Sequence, residues 1–478
     1  MILEDGAGMT EARENCGLFG IYGAASAVDL TYLGLFTQQH RGQESAGIAS
    51  IQGGGLAHHK GMGLVEEVFP HDVLHRLRSH AAIGHVRYST TGLSNAANAQ
   101  PLVVETARGM IAVAHNGTLV NSTALRRGVE SQGHFFPIFH TTTDTELIIH
   151  MLAKSSVVMR GREGMKDVMA SLKGAYSLLM LTPEEMIAVR DPQGFRPLVL
   201  GRRGGAWAVA SETCALDITG FEYQREIEPG EILIIGREGL RSERILPPRD
   251  CRPARCLFEH VYFARPDSRA FGDLVQGVRH RLGQRLARDF PAAADFVTPV
   301  PDSGLYAAMG FAAEAGIPYE MAFVRNHYVG RTFIQPHQDQ RSSKVMIKLA
   351  VIRELVKGKR IVVVDDSIIR GTTSRSRIQI LREAGAREIH FRISCPPTRF
   401  PCYYGIDFPS PGELIAAQKN VEEIRRHVGV DTLGYLGLEG MLAAVSDPAD
   451  SYCTACWTGN YPVPPTDQMD KDRHEKKR

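Results

Sequence analysis

Apolar and polar positions alternate over short stretches through the first half of the chain, with glycine-rich turns between them. C-G-L-F-G-I-Y-G, A-A-I-G-H-V-R-Y-S-T, M-I-A-V-A-H-N-G and A-Y-S-L-L-M-L read as strands. Between the last two, Asp144 to Lys154 switches to a helical period that puts Leu147, Ile148 and Leu152 on one face. This pattern predicts a layered α/β domain rich in antiparallel strands. From Arg241 to Pro253 the chain turns polar and proline-containing, as a linker would. Beyond it, F-V-T-P-V and R-I-V-V-V-D-D are continuous apolar runs, alternating with helical segments such as Arg375 to Ala384. They predict βαβ units on a mostly parallel sheet. The boundary falls near residue 250, within about ten residues.

Composition narrows the function classes. A chain of 478 residues holds two or three domains, and 43% apolar with 23% charged residues is ordinary for a globular protein. A formal net charge of +2 supplies no general field for nucleic acid or an anionic membrane, and neither partner is expected. Arg126 and Arg127 read as a solvated helix face, and Lys471 to Arg478 as part of a disordered tail. No apolar run reaches the length of a bilayer span. The acidic first fifteen residues lack the basic and apolar regions of a secretory signal, so a cytoplasmic location is expected. Eight cysteines are too few for a disulfide framework, so their positions matter more than their number.

The most specific motif is R-I-V-V-V-D-D-S-I-I-R-G-T-T-S, residues 360 to 374. Two carboxylates end a buried strand, and a loop with Gly371 and several hydroxyls then opens a helix. Loop amides and a helix N-terminus cradle a phosphate. Adjacent carboxylates repel one, so they must face hydroxyls or a metal; a phosphorylated sugar satisfies both demands. D-D alone would read as a helix cap, but the whole stretch does not. Nucleotide loops of the G-x-x-x-x-G-K-[ST] and strand-borne G-x-G-x-x-G types are missing from the sequence.

This stretch resembles the signature of type I phosphoribosyltransferases. The resemblance implies that Asp365 and Asp366 contact the ribose hydroxyls and Mg²⁺, one ion per subunit. Ser367, Ile368, Ile369, Arg370, Gly371, Thr372 and Thr373 would hold the 5-phosphate of phosphoribosyl pyrophosphate. P-V-P-D-S-G, residues 299 to 304, is similar to the family's pyrophosphate loop, with Ser303 as a further Mg²⁺ contact.

The first half carries its own constellation: Cys16 before a strand, then H-R-G-Q-E-S-A-G-I, G-H-V-R-Y-S-T-T-G, A-H-N-G-T-L-V-N and T-T-D-T-E-L. A lone cysteine among glycines is usually a small buried residue. Four companion motifs with Arg, Asn-Gly and Asp change that reading. Releasing ammonia from glutamine needs a thiolate, a base, donors for the oxyanion, and charged partners for the substrate's carboxylate and amine. The set resembles the N-terminal-nucleophile glutamine amidotransferases. By that resemblance Cys16 attacks the amide, Asn116 and Gly117 form the oxyanion hole, Arg87 binds the carboxylate and Asp144 the amine, while Arg41 and Gly42 line the pocket. The family's base is the free α-amino group of the cysteine, whose pKa of about 7.7–8.0 suits the task. Cys16 is not residue 1, so cleavage between Asn15 and Cys16 is expected, making residues 1–15 a propeptide.

Cys453 and Cys456 form C-x-x-C, and Cys256 and Cys402 offer two more thiolates. Spacing alone leaves tetrahedral Zn²⁺, a 4Fe–4S cluster or scattered buried thiols open. Together the two halves, from Cys16 to Tyr461, resemble the amidophosphoribosyltransferase family, one branch of which carries both a propeptide and a 4Fe–4S cluster. The resemblance implies one cluster per subunit on Cys256, Cys402, Cys453 and Cys456. Cys214, Cys251 and Cys395 are expected to be buried structural thiols.

The same resemblance implies the fold: an N-terminal-nucleophile four-layer αββα glutaminase domain over residues 16–250, then a type I phosphoribosyltransferase domain with a parallel sheet and cluster-binding segment over 251–462, and a tail over 463–478. It implies glutamine and phosphoribosyl pyrophosphate as substrates, purine nucleotides as inhibitors, and a homotetramer. R-N-H-Y-V-G-R-T-F-I-Q-P, residues 325 to 336, resembles the family's closing loop; Gly330 suits a lid and Arg331 a pyrophosphate contact. A sugar-phosphate or asparagine amidotransferase would not need the D-D-S-I-I-R-G-T-T loop. A ligand-sensing transcriptional regulator would add a DNA-binding segment instead of a glutaminase, and a salvage transferase would be far shorter.

Overall fold

The structure is a computed structural model and describes residues 16–88, 95–106, 109–131, 139–154, 162–326, 349–408 and 411–466. Gly17–Tyr22 is a strand buried at every position, because it lies inside a seven-stranded sheet between Ala81–Arg87 and Ala206–Ala210. Six further strands, including Gly109–Leu119 and Gly174–Leu181, form a second antiparallel sheet. Strand alternation then builds the layers. Leu18, Ile83 and Val209 of the first sheet meet Ala114, Leu179 and Leu233 of the second in a shared core. Phe19 and Ile21 face the other way, under Val28 and Leu35 of the helix Ala27–Thr37. On the far side Leu178 and Val189 pack against Ile148, Leu152 and Met169 from two more helices. The result is the four-layer αββα arrangement. The helix at Asp144–Lys154 has the bounds its periodicity predicts and buries Leu147, Ile148 and Leu152.

The second half holds a four-stranded parallel sheet in the order Phe296–Pro299, Arg360–Asp365, Glu388–Ile393, Thr432–Tyr435. Ile361 through Val364 are wholly buried, which explains an unbroken apolar run where an exposed sheet face would demand alternation. The helices Val275–Asp289 and Leu305–Ala315 pack so closely that a Cβ on Gly283 would lie 1.8 Å from the Ala307 carbonyl oxygen. The helix expected from Arg375 begins at Thr372, directly after Gly371 turns the chain with φ +78°.

The halves join along an apolar seam where Val120, Ala175 and Phe195 meet Ala254 and Tyr404. A short parallel pair, Arg255–Cys256 with Tyr452–Cys453, ties the start of the second half to its end. Three details depart from expectation. Residues 463–466 do not open a loose tail: the Tyr404 hydroxyl donates to the Val463 carbonyl at 2.9 Å, and the Thr466 hydroxyl to that of Val120 at 3.2 Å. The remainder of the tail lies outside the described residues. Arg126 is half-buried, its guanidinium 3.9 Å from the Phe139 ring centre, since a flat cation gains by covering an aromatic face. Cys214 and Cys395 are buried, but Cys251 is partly exposed, because it follows a short turn at Pro248–Asp250 in the connecting segment. Among the described residues no helix is long and apolar enough to cross a membrane.

Candidate functional site

The sheet register brings the first set of residues together. Gly17 pairs with Val86, so one step further Cys16 lies opposite Arg87 at the end of the adjoining strand. Burial pushes the Cys16 thiol up from its ordinary value, while the Arg87 guanidinium and the Tyr88 backbone pull it back. The same burial lowers Arg87, opposed by Cys16 and Glu44. Gly42 has to be a glycine here: a Cβ would stand 2.5 Å from the Arg87 backbone nitrogen. The H-R-G-Q turn is thereby pressed against the strand that carries Arg87.

Asn116 and Gly117 sit on the facing sheet, paired with Ser177 and Tyr176. The two sheets are linked beside them by His85, whose Nε2 lies 3.2 Å from the His115 carbonyl oxygen. Asn116 is fully buried, and both atoms of its side-chain amide lack a partner among the described residues. A buried amide left unpaired is rare unless something else completes it. Asp144, at the first position of its helix, accepts the Leu119 amide at 2.9 Å and so stays beside the Asn116 strand. Glu146 fixes the approach to it, accepting the amides of His140 and Thr141 at 2.8 and 2.7 Å. Hydrogen bonds from His150, His140 and Thr141 outweigh burial and hold the Glu146 carboxyl down to about 2.

The Arg41 side chain goes elsewhere. Its Nε meets Glu212 and its Nη2 meets Glu259 of the second half, with all three groups essentially inaccessible. What this turn is seen to press against Arg87 is the Gly42 backbone.

In the second half a cavity of about 410 Å³ is lined by Asp365, Asp366, Ser367, Ile369, Arg370, Gly371, Thr372 and Thr373. Of the expected loop, Ile368 and Ile369 both belong to the core, and Ile369 also borders the cavity. Gly371 closes the loop, since a Cβ would come 2.7 Å from Ile415 Cδ1. The Ser303 hydroxyl donates to Asp366 at 2.6 Å, joining the P-V-P-D-S-G loop to the acidic pair. Arg377 donates to Asp365 at 3.3 Å. Tyr262 and Arg377, outside the motif, line the cavity too, as does Ser374, the motif's last residue, to which the sequence assigned no role. For Ser374 and Arg377 the signal was present: they follow the loop at helical spacing, so they share its face. Arg331, Gly330 and most of residues 325–336 lie outside the described residues, as do residues 1–15.

Cys256, Cys402, Cys453 and Cys456 line one cavity of about 380 Å³ with Phe195, Arg196, Phe258 and Tyr404. Burial pushes the Cys256 thiol up to about 12, and Cys453 and Cys456 are raised in the same way. Among the described residues no three His, Cys, Asp or Glu side chains converge tightly enough to hold a lone metal ion. Four thiols on one cavity are a ligand set that either tetrahedral Zn²⁺ or a 4Fe–4S cluster can use. The Asp365–Asp366–Ser303 group suits Mg²⁺ that takes its other ligands from substrate and water.

Comparison with known proteins agrees with this division. Residues 85–217 match a glutamine amidotransferase domain family and residues 270–399 a phosphoribosyl transferase domain family. The amidophosphoribosyltransferase of Bacillus subtilis is 48% identical over 456 residues, covering 94% of this chain and 94% of its own. That of Methanothermobacter thermautotrophicus is 47% identical over 468 residues, covering 96% of each. A solved structure of the B. subtilis glutamine phosphoribosylpyrophosphate amidotransferase complexed with ADP and GMP superposes with a TM-score of 0.90 at 47% identity, over 96% of this chain and 100% of the other.

Proposed function

Because the chain belongs to the amidophosphoribosyltransferase family, we propose that its two sites work in series, Cys16 releasing ammonia that the Asp365–Thr373 loop's substrate receives. The family reaction converts glutamine, water and phosphoribosyl pyrophosphate to 5-phosphoribosylamine, glutamate and pyrophosphate, the first committed step of purine synthesis. The enzyme is thus a pentosyltransferase with glutamine amidotransferase activity.

In this reading Arg87 binds the glutamine carboxylate and Asp144 its amine. The Cys16 thiolate adds to the side-chain amide, and the oxyanion forms against Asn116 and the Gly117 amide. Collapse expels ammonia and leaves a thioester, which water cleaves to glutamate. The base is the α-amino group of Cys16 once residues 1–15 have been removed. Ammonia then attacks C1 of the phosphoribosyl group as the bond to pyrophosphate breaks. Thr372, Thr373 and the loop amides hold the 5-phosphate, and Asp365 and Asp366 orient the ribose hydroxyls. Mg²⁺ on Asp365, Asp366 and Ser303, when bound, supplies neutralisation of the pyrophosphate charge.

Support for the glutaminase half is carried by the buried, unpaired Asn116 amide beside Gly117 and Asp144. The four-cysteine cavity supports a 4Fe–4S cluster on Cys256, Cys402, Cys453 and Cys456, acting as a clip between distant segments. The 325–336 segment, with Arg331 on pyrophosphate, is proposed to close over the substrate. Purine nucleotides are proposed as inhibitors, in line with the nucleotides named in the B. subtilis complex. A cytoplasmic homotetramer completes the reading; light scattering tests the assembly.

The test of function is phosphoribosyl-pyrophosphate-dependent glutamate release by anaerobically purified protein, beside a Cys16→Ala variant. Release that needs both, with matching pyrophosphate, is expected. Binding of phosphoribosyl pyrophosphate with neither product would instead make the chain a ligand sensor. Intact mass of the active protein should begin at Cys16.

A further inference from the structure

We propose that Glu259 is a positioning residue for the glutaminase site, holding the Arg41–Gly42 turn through a buried chain of charges that begins at the four-cysteine cavity. The proposal rests on the two-site reading above and adds a physical connection between the cavity and the first site.

Glu212, Arg41, Glu259 and Arg196 are each 1% exposed or less and alternate in sign. Arg41 reaches Glu212 through Nε and Glu259 through Nη2. The other Glu259 oxygen accepts from Arg196 Nη1 at 3.0 Å. Glu212 is fixed in turn by the Arg265 amide at 2.9 Å and the Ser268 hydroxyl at 2.8 Å. Charges so deeply buried persist only while paired, and removing one leaves its neighbours uncompensated. Glu259 is therefore the acid on which both arginines depend.

Each end of the chain touches something with chemistry. Arg41 adjoins Gly42, which abuts the backbone of Arg87, and Arg87 stands opposite Cys16. A shift of the Arg41 guanidinium is thereby passed to the group that takes the substrate carboxylate. At the other end Arg196 lines the cysteine cavity and donates to the Tyr404 carbonyl at 3.3 Å. The thiolates that hold a cluster attract Arg196 in competition with Glu259. The state of the cavity thus biases how firmly Glu259 is held, and Glu259 passes that bias to Arg41.

The experiment uses the full-length, anaerobically prepared protein. Glu259→Gln keeps the shape and removes the charge. The Michaelis constant for glutamine should rise about tenfold, with the constant for phosphoribosyl pyrophosphate unchanged and the visible iron–sulfur absorbance retained. Glu259→Asp, which keeps the charge, should give an intermediate constant, and it serves if the glutamine variant does not fold. Arg196→Gln should act in the same direction, and the double variant should fall short of the product of the two single effects. An unchanged constant for glutamine in a variant that merely melts earlier would overturn the proposal. Fully multiplicative effects would overturn the link to the cavity. Failure of the two-site reading looks different: the unsubstituted protein itself would lack coupled glutamate release.

Discussion

Keeping the Asn116 amide buried and unpaired costs the protein about 1–3 kcal/mol that an apolar side chain would not. Under the proposed oxyanion role, such a group is retained for what it does when a substrate oxygen arrives. Asn116→Ala should therefore leave thermal stability level or slightly higher while glutaminase turnover falls about 10²–10³-fold. Phosphoribosyl pyrophosphate binding, measured in the same protein, should not change. A melting temperature that drops together with activity would assign Asn116 to the fold instead. Residues of this kind are legible in the amino-acid order alone, because Asn116, Asp144, Asp365 and Asp366 sit in short motifs whose chemistry is written within a few positions. Glu259 is not legible there. Its partner Arg41 is 218 positions away, and nothing in F-E-H-V-Y-F announces a buried ion pair. The Arg41 side chain is legible only in part for the same reason: H-R-G-Q marks the pocket, but the guanidinium turns toward the other half.

Helices and strands are readable where one element's own residues settle it. Asp144–Lys154 shows its period and begins at the acid that also faces the site. The start at Thr372 is harder, since hydroxyls and a glycine look like loop until they are seen to form its first turn. Least readable is how closely two elements approach. Gly283 reads as a helix-weakening residue, yet it is what allows Val275–Asp289 to lie against the Ala307 carbonyl. Gly283→Ala, normally favourable in a helix, should destabilise by about 1–3 kcal/mol because the neighbouring helix must move. Urea unfolding of the transferase half would measure it, and a neutral or stabilising result would show that the two helices can part without cost.

Across the whole molecule, three buried histidines make stability depend on pH. Burial lowers His85 to about 3, and His115 and His260 to about 4. An unfolded chain binds protons at these positions below about pH 6.5, where the folded one does not. Their contribution is complete above that value and drains away as pH falls toward 4. On the order of 2 kcal/mol per histidine should be lost by pH 5, before most carboxylates titrate. Denaturant midpoints at pH 7.5 and 5 would show it, and a flat profile would mean that the histidines charge without unfolding. The small parallel pair of Cys256 with Cys453 has a further consequence, for how the protein is made. Domains fold as units from the N-terminus while the ribosome is still at work. The glutaminase sheets can close early in that sequence, but the thiol cavity waits for Cys453 and Cys456, and residues 463–466 fasten onto Val120 later still. A nascent chain thus has a folded first domain long before its four thiols can meet, so the cluster proposed for them would load only at the end of synthesis, on nearly finished chains.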